Sequence, residues 1–405
     1  MEDDRGTSHV YGIERHTLCL AAVAGDSARN RFVLGTLGIT EPCEIHLVDF
    51  DDDEGALRSL VYKHPRGVRA LAAAPWDPAQ LLVVGSGAGA SGAAPAELVA
   101  LPDVPAGTFP SPEAPEQPTT LVAGLGDAAS EQPAPHAVVC HPAAHCREAA
   151  TVSSTGVRVW DFAQAGPQAS HAILAARHAM DEIEAAAWNP TAAAQLATAD
   201  GMCVRTWDMR AEPRSQQTMA IEYAHSGKVR SLDYNPNLPY ILATGGDDGS
   251  VRVWDARSPA AALLDIANHT HWVYSVAFNP NHDQLLLTAG ADGLVNLESV
   301  VSVSSAQVVA GMAAASIGER PQSPARGGSP QPAGDSGSDG GRSGAEDDGI
   351  GRATDGLVVQ LDDHETSVYA ARWSAADPWV FASLSFDGRM VINTVPQSEK
   401  FKILL

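Results

Sequence analysis

The sequence predicts an all-β fold, a seven-bladed β-propeller with a Gly/Ser/Pro/acidic insert before its last blade. Three observations carry that expectation. Trp160-Asp161, Trp207-Asp208 and Trp254-Asp255 recur 47 residues apart. Asn-Pro recurs at 189–190, 235–236 and 279–280, each time closing a short apolar run. A polar set also keeps one spacing: His225, Thr244 and Asp248 are matched by His269, Thr288, Asp292 and by His364, Ser383, Asp387, at 19 and 23 residues from each His. A period in the forties with short β runs and a terminal Trp-Asp is the mark of WD40-type blades.

Each element has a local reason. In GGDDGSVRVWDAR (245–257) the alternation Val251-Arg252-Val253 argues a half-buried strand. The Asp-Gly before it predicts a two-residue hairpin in a primed turn, glycine supplying φ > 0. Trp254, 29 residues after His225, is expected to close a hydrogen-bonded chain with Thr244, His225 and Asp248. Such a chain satisfies groups that burial would strand, and losing one member should cost roughly 1–3 kcal/mol. Glu298 and Asn393 replace the Trp in the other two copies.

The earlier blades follow from weaker patterns. RFVLGT and EIHLVDF (31–50) read as strands of the first, GVRALAAAPWDP (67–78) opens the second, and 136–162 is the third. The next three end near 212, 258 and 300. The expected organisation is blades one to six in 1–314, a disordered low-complexity insert over 315–355, and blade seven with the tail in 356–405. A smaller Pro-rich stretch, 101–118, interrupts blade two. Pairing of the N-terminal segment with the last blade is expected to seal the ring and protect its edges.

Composition narrows the function classes. A net charge of −23 over 405 residues argues against a nucleic-acid backbone or an anionic membrane as main ligand. No apolar run approaches the length of a spanning helix, and MEDDRG is acidic, so neither membrane insertion nor a secretory signal is expected. Cys19, Cys43, Cys140, Cys146 and Cys203 are few and odd in number, which suits a reducing cytosol.

Several motifs invite chemistry and have simpler explanations. Gly87, Gly89 and Gly92 match G-x-G-x-x-G, yet prolines replace the helix a dinucleotide needs, so the stretch reads as a hairpin loop. Cys140-His141 and His145-Cys146 lack a common zinc spacing, and repeat alignment puts Cys140 at a buried strand end. Three identical His-Ser/Thr-Asp sets argue one structural chain per blade, not a hydrolase triad. Asn268-His269-Thr270 is a glycosylation sequon by pattern only. Ser323, Ser329 and Ser343 lie in contexts open to phosphorylation. No catalytic residue, cofactor or metal is expected.

The repeat register also predicts a binding face. Residues flanking the first buried Val of an inner strand should point to the top rim: Lys228 and Arg230, Trp272 and Tyr274, Ser367 and Tyr369. The residue before each turn Asp adds Asp247, Ala291 and Phe386. Trp272, Tyr274, Tyr369 and Phe386 would form an aromatic patch beside two cations. Such residue types dominate interface energetics.

YGIE near the start, IHLVDFDDD (45–53), 269–295, 364–393 with DPWVFASLSFDGR, and the tail KILL (402–405) together resemble the EARP and GARP complex-interacting protein family. The resemblance spans nearly the whole chain. It implies a WD-repeat adaptor that associates with the endosome-associated recycling protein and Golgi-associated retrograde protein tethering complexes. It further implies a cytoplasmic place at endosomes and the trans-Golgi network. An alternative is a substrate receptor of a cullin-RING ubiquitin ligase, suggested by W-D-x-R at Trp207–Arg210 and Trp254–Arg257.

Overall fold

A computed structural model describes residues 7–38, 43–86, 96–102, 117–126, 133–163, 167–174, 182–211, 216–307 and 354–404. Among the described residues seven sheets form the seven predicted blades, six of four antiparallel strands and one of four with a short fifth strand added in parallel. Their inner strands, from Thr17–Ala22 in blade one to Val368–Trp373 in blade seven, pack side by side in a closed ring. Ser8–Gly12 pairs antiparallel with Arg389–Thr394, Ser8 opposite Asn393, so the first strand of the chain completes the last blade.

Blade five shows why these residues make these strands. Its strands are Val229–Tyr234, Ile241–Gly246, Val251–Asp255 and Leu264–Ile266. The second strand is sandwiched within the blade and between blades, and every residue is buried. The third alternates: Val251 and Val253 are buried whereas Arg252 reaches the surface and bonds Asp265 at 3.1 Å. Each fully buried Val or Leu contributes about 1.5–3 kcal/mol. Blades are cemented pairwise. Ala277, Leu285, Leu287 and Leu297 of blade six pack with Val368, Ala371, Trp373 and Phe381 of blade seven.

Two expectations are corrected. The 247–249 turn is a three-residue loop, with Gly246 N–H bonded to Ser250 O at 3.2 Å. Of its residues only Gly249 has positive φ (76°), and Gly293 (80°) and Gly388 (89°) repeat it. Glycine supplies one left-handed residue after a tight turn; a two-residue primed turn would have needed another geometry.

The second correction concerns Gly356–Leu361, assigned from the sequence to the opening of the last blade. It pairs with Val295–Ser299 as the outer strand of blade six. The sequence repeat therefore runs one strand out of phase with the sheet. An outer strand precedes the inner strand of the next blade in the chain but hydrogen-bonds back to its own. Gln117–Pro118, at the end of the Pro-rich stretch, pairs parallel with the outer strand of blade one.

The low-complexity insert, Ser323, Ser329, Ser343 and the glycines Gly87, Gly89 and Gly92 lie outside the described residues, save 354 and 355. The chain ends in a helix, Gln397–Leu404, whose Ile403 packs against blades six and seven.

Candidate interaction face

The polar sets sit inside their blades. In blade five Trp254 Nε1 donates to Thr244 Oγ1 at 3.0 Å. His225 Nε2 lies 2.7 Å from that same oxygen, and its Nδ1 lies 2.9 Å from Asp248 Oδ1. Blade six repeats the geometry, with His269 2.9 Å from Thr288 and 3.0 Å from Asp292. Glu298, in the tryptophan's place, accepts from Asn268 at 2.8 Å.

Blade seven differs. His364 meets Ser383 at 2.7 Å but reaches Asp387 only through Ser385, at 2.9 and 2.6 Å. Ser385 holds the register position of Gly246 and Gly290. At Gly290 a Cβ would come within 2.9 Å of His269 Nδ1, and at Gly246 it would collide with the His225 ring. Glycine lets His and Asp touch directly, and in blade seven a hydroxyl bridges them. Among the described residues, blades three and four show the Trp–Thr part, Trp160 to Thr151 and Trp207 to Thr198, both at 2.9 Å. In blade four a buried Arg205–Asp200 pair sits at the turn. His64, at the end of the outer strand of blade one, lies beside Glu97 of blade two (3.1 Å), which also holds Arg66 (2.9 Å).

These sets are electrostatically tuned for structure. Burial opposes the charge on Asp248, but the Ser226 N–H, the Ser250 hydroxyl and His225 outweigh it and hold the carboxyl well below the usual range. Burial pushes His225 down, and takes His364 from the usual 6.5 to about 4. Burial likewise pushes the Cys140 thiol up to about 12, at the end of the strand Ala137–Cys140. The neighbouring His141 ring packs on Trp188, 5.2 Å between centroids.

At the rim where inner strands begin, five of the predicted face residues form one line. Val229, Val273 and Val368 are fully buried. Arg230 stacks over Trp272 at 5.1 Å. Trp272 meets Tyr274 edge-on at 6.2 Å, and Tyr274 stacks on Tyr369 at 4.5 Å. Tyr369 then leans on Phe386 at 5.9 Å. Asp247 holds the Arg230 guanidinium with both oxygens, at 2.6 and 3.0 Å, which fixes its plane against the indole.

The remaining residues point elsewhere. Lys228 is drawn to Glu184 and Glu182 of blade four, at 2.8 and 3.0 Å. Ser367 donates to Ala291 O at 3.2 Å. Trp272 is 39% exposed, an unusual value for so large a ring.

The line continues through residues the sequence reading missed. His16 stacks on Phe386 at 4.5 Å, and His271 flanks Trp272 at 5.0 Å. Both His16 and Glu184 obey the same register rule: His16 precedes Thr17 of the blade-one inner strand, and Glu184 follows Ile183 of the blade-four one. Applying the rule to the divergent blades would have found them.

A closed ring of WD-type blades, with polar chains spent on structure and an aromatic line at one rim, defines a WD-repeat interaction propeller. The chain belongs to the EIPR1 beta-propeller family, whose pattern matches residues 5–297; a WD domain, G-beta repeat matches 356–392. It is similar to "EARP and GARP complex-interacting protein 1" of Rattus norvegicus, 32% identical with all of both chains covered. The Homo sapiens protein of that name is 31% identical over the same full span. "EARP-interacting protein 1" of Caenorhabditis elegans is 29% identical over 98% of each chain. Among the described residues no helix is long and apolar enough to cross a membrane.

Proposed function

We propose that the chain is a non-enzymatic adaptor that docks on the endosome-associated recycling protein and Golgi-associated retrograde protein tethering complexes. In this reading it supports endosomal recycling and trans-Golgi network traffic from the cytoplasm, held at those membranes through its partners. The names of full-length relatives, which describe interaction with EARP and GARP, support the choice of partner. The observation that carries it is the line from Arg230 to Phe386, crossing blades five to seven with Trp272 open to solvent. Exposed aromatics held rigid by neighbours lose little entropy on binding and so make strong anchors.

Trp272→Ala combined with Tyr369→Ala is expected to reduce co-purification with either complex at least about thirtyfold while the chain stays folded. Wild-type recovery by that folded double variant would place the docking face elsewhere.

A second reading is a substrate receptor of a cullin-RING ligase. It is favoured by Arg210 and Arg257, whose side chains are 75% and 63% exposed and clamp Asp208 and Asp255 at 2.7 Å in the same way on adjacent blades. Mass spectrometry of the chain purified from its native cell separates the readings: tether subunits support the first, ligase adaptors the second.

A further inference from the structure

The inner strands enclose a central cavity of about 490 Å³ that opens beside the aromatic line. Its wall has two levels: a bulged residue at the start of most inner strands, and a second residue three positions on, from the regular period-two stretch. The upper level, in register with Arg230, carries Arg69, Glu184, Tyr274 and Tyr369. The lower level is small and apolar at Val139, Ala187 and Ala277, with two exceptions, Asp233 and Arg372.

The charges on this wall are not evenly matched. Glu184 is occupied by Lys228 and Arg230, and Arg230 by Asp247. Arg69 has no hydrogen-bond or ion-pair partner among the described residues. Arg372 reaches the solvent space of the cavity, but the surrounding wall desolvates it and pushes it below the usual arginine range. Its Nη1 donates to Ser275 Oγ and Ala371 O, both at 2.8 Å. That anchors one end of the guanidinium and leaves Nε and Nη2 without a partner among the described residues. Asp233 does not take them. It accepts the Phe278 and Tyr234 N–H groups, at 2.8 and 2.9 Å, and no ion pair joins it to Arg372. Two cations thus face one cavity with no carboxylate among the described residues hydrogen-bonded to either, Asp233 acting on Arg372 only through its field, in a chain of net charge −23.

We propose that the cavity receives the carboxylate of a single acidic side chain from a partner peptide. Arg372 holds it at the lower level, Arg69 steers it at the mouth, and flanking residues rest on the Trp272–Tyr369 line. A polyphosphate fits worse, because the Asp233 carboxyl shares the lower level with Arg372 and, though burial pushes it up to about 6, repels each further negative charge at neutral pH. An anchored guanidinium with free donors is pre-organised for one carboxylate. The inference deepens the adaptor reading and rests on it only for the partner's identity.

The test uses the full chain and a library of nonapeptides with Glu, Gln or Lys fixed at the centre and other positions degenerate. The wild type is expected to retain the Glu pool at least about tenfold over the Gln pool. Arg372→Gln should abolish that selectivity. Arg69→Gln should lower it about threefold, as for an exposed charge at a rim. Asp233→Asn, which removes the competing charge, should raise retention of the Glu pool. If Arg372→Gln fails to fold, the Arg69 and Asp233 variants decide the matter by moving selectivity in opposite directions.

Equal retention of Glu and Gln pools by the wild type, or selectivity unmoved by these variants, overturns the proposal. Displacement of the Glu pool by inositol hexakisphosphate at lower concentration than by free Glu peptide overturns it in favour of a polyanion. Capture of tethering complexes without Glu selectivity sinks the cavity proposal and leaves the adaptor reading standing. Glu selectivity without such capture does the reverse.

Discussion

Asp248 gathers His225 Nδ1, the Ser226 and Ser250 N–H groups and both their hydroxyls, all within 3.2 Å. Asp247, next to it, turns outward to Arg230. Asp248→Ala strands the buried His225 and Ser250 donors and should cost about 1–3 kcal/mol more than Asp247→Ala in urea denaturation. Similar midpoints for the two variants would refute the register on which the blades are aligned. The buried histidines add a pH dependence. His364 is held neutral, its value falling from 6.5 to about 4, so the unfolded chain binds more protons between those limits. Stability from this group is fully present above about pH 6.5 and is lost as pH falls towards 4. The thermal midpoint of the wild type should therefore drop between pH 7 and pH 5, and less so in His364→Gln. An equal drop in both would remove His364 from the account.

At the scale of elements, the Asn-Pro repeats do more than end a strand. Asn189, Asn235 and Asn279 are fully buried. Asn189 donates to Pro239 O at 2.8 Å, Asn235 to Asp283 at 3.0 Å and Asn279 to Pro378 O at 2.6 Å. Ser374 carries the chain on to Asn30 of blade one at 2.7 Å. Each turn thus ties its blade to the next. The dipeptide was visible in the sequence, but its partner lies a blade away and follows no local pattern. The insert is also an element-scale matter. The connection that carries it leaves blade six after Ser299 and returns at Gly356, and these two residues are paired across adjacent strands. The ends of that connection are therefore already together, and shortening it costs no reach. Replacing 315–353 by a short Gly/Ser linker, with Asp355 kept for its bond to the Ser302 N–H, should leave the melting temperature within about 4 °C. Aggregation of that variant would mean that the segment contributes to blade six.

For the whole molecule, closure is the governing device. The strand Ser8–Gly12 and Arg389–Thr394 come from opposite ends of the chain, and Tyr11 and Ile13 pack into the cluster shared by blades one and seven. Removing residues 1–14 exposes the edge of the last blade and part of that cluster. The truncated chain should lose its single cooperative transition or melt at least about 10 °C lower. An unchanged transition would show that the ring holds without its clasp. Closure also builds the rim. His16 from the first blade stacks on Phe386 of the seventh only because the ring brings the chain's start beside its end.

The sequence by itself determined the seven-bladed propeller, the N-terminal clasp, and the register that lines up His225, Thr244, Asp248 and Trp254. The blades and their register repeat, each enforced by local alternation, a glycine turn and one buried polar chain, so they are written at short range; the clasp follows because a closed ring leaves one edge to seal. Only the tertiary structure decided that Gly356–Leu361 belongs to blade six, that Ser385 bridges His364 to Asp387, and that Arg372 and Arg69 face one cavity with free donors. Each of these depends on which strand edge or side chain stands opposite. That is set by packing between segments distant in the chain, where hydrogen-bond geometry and unmatched charge exist only once the ring has closed.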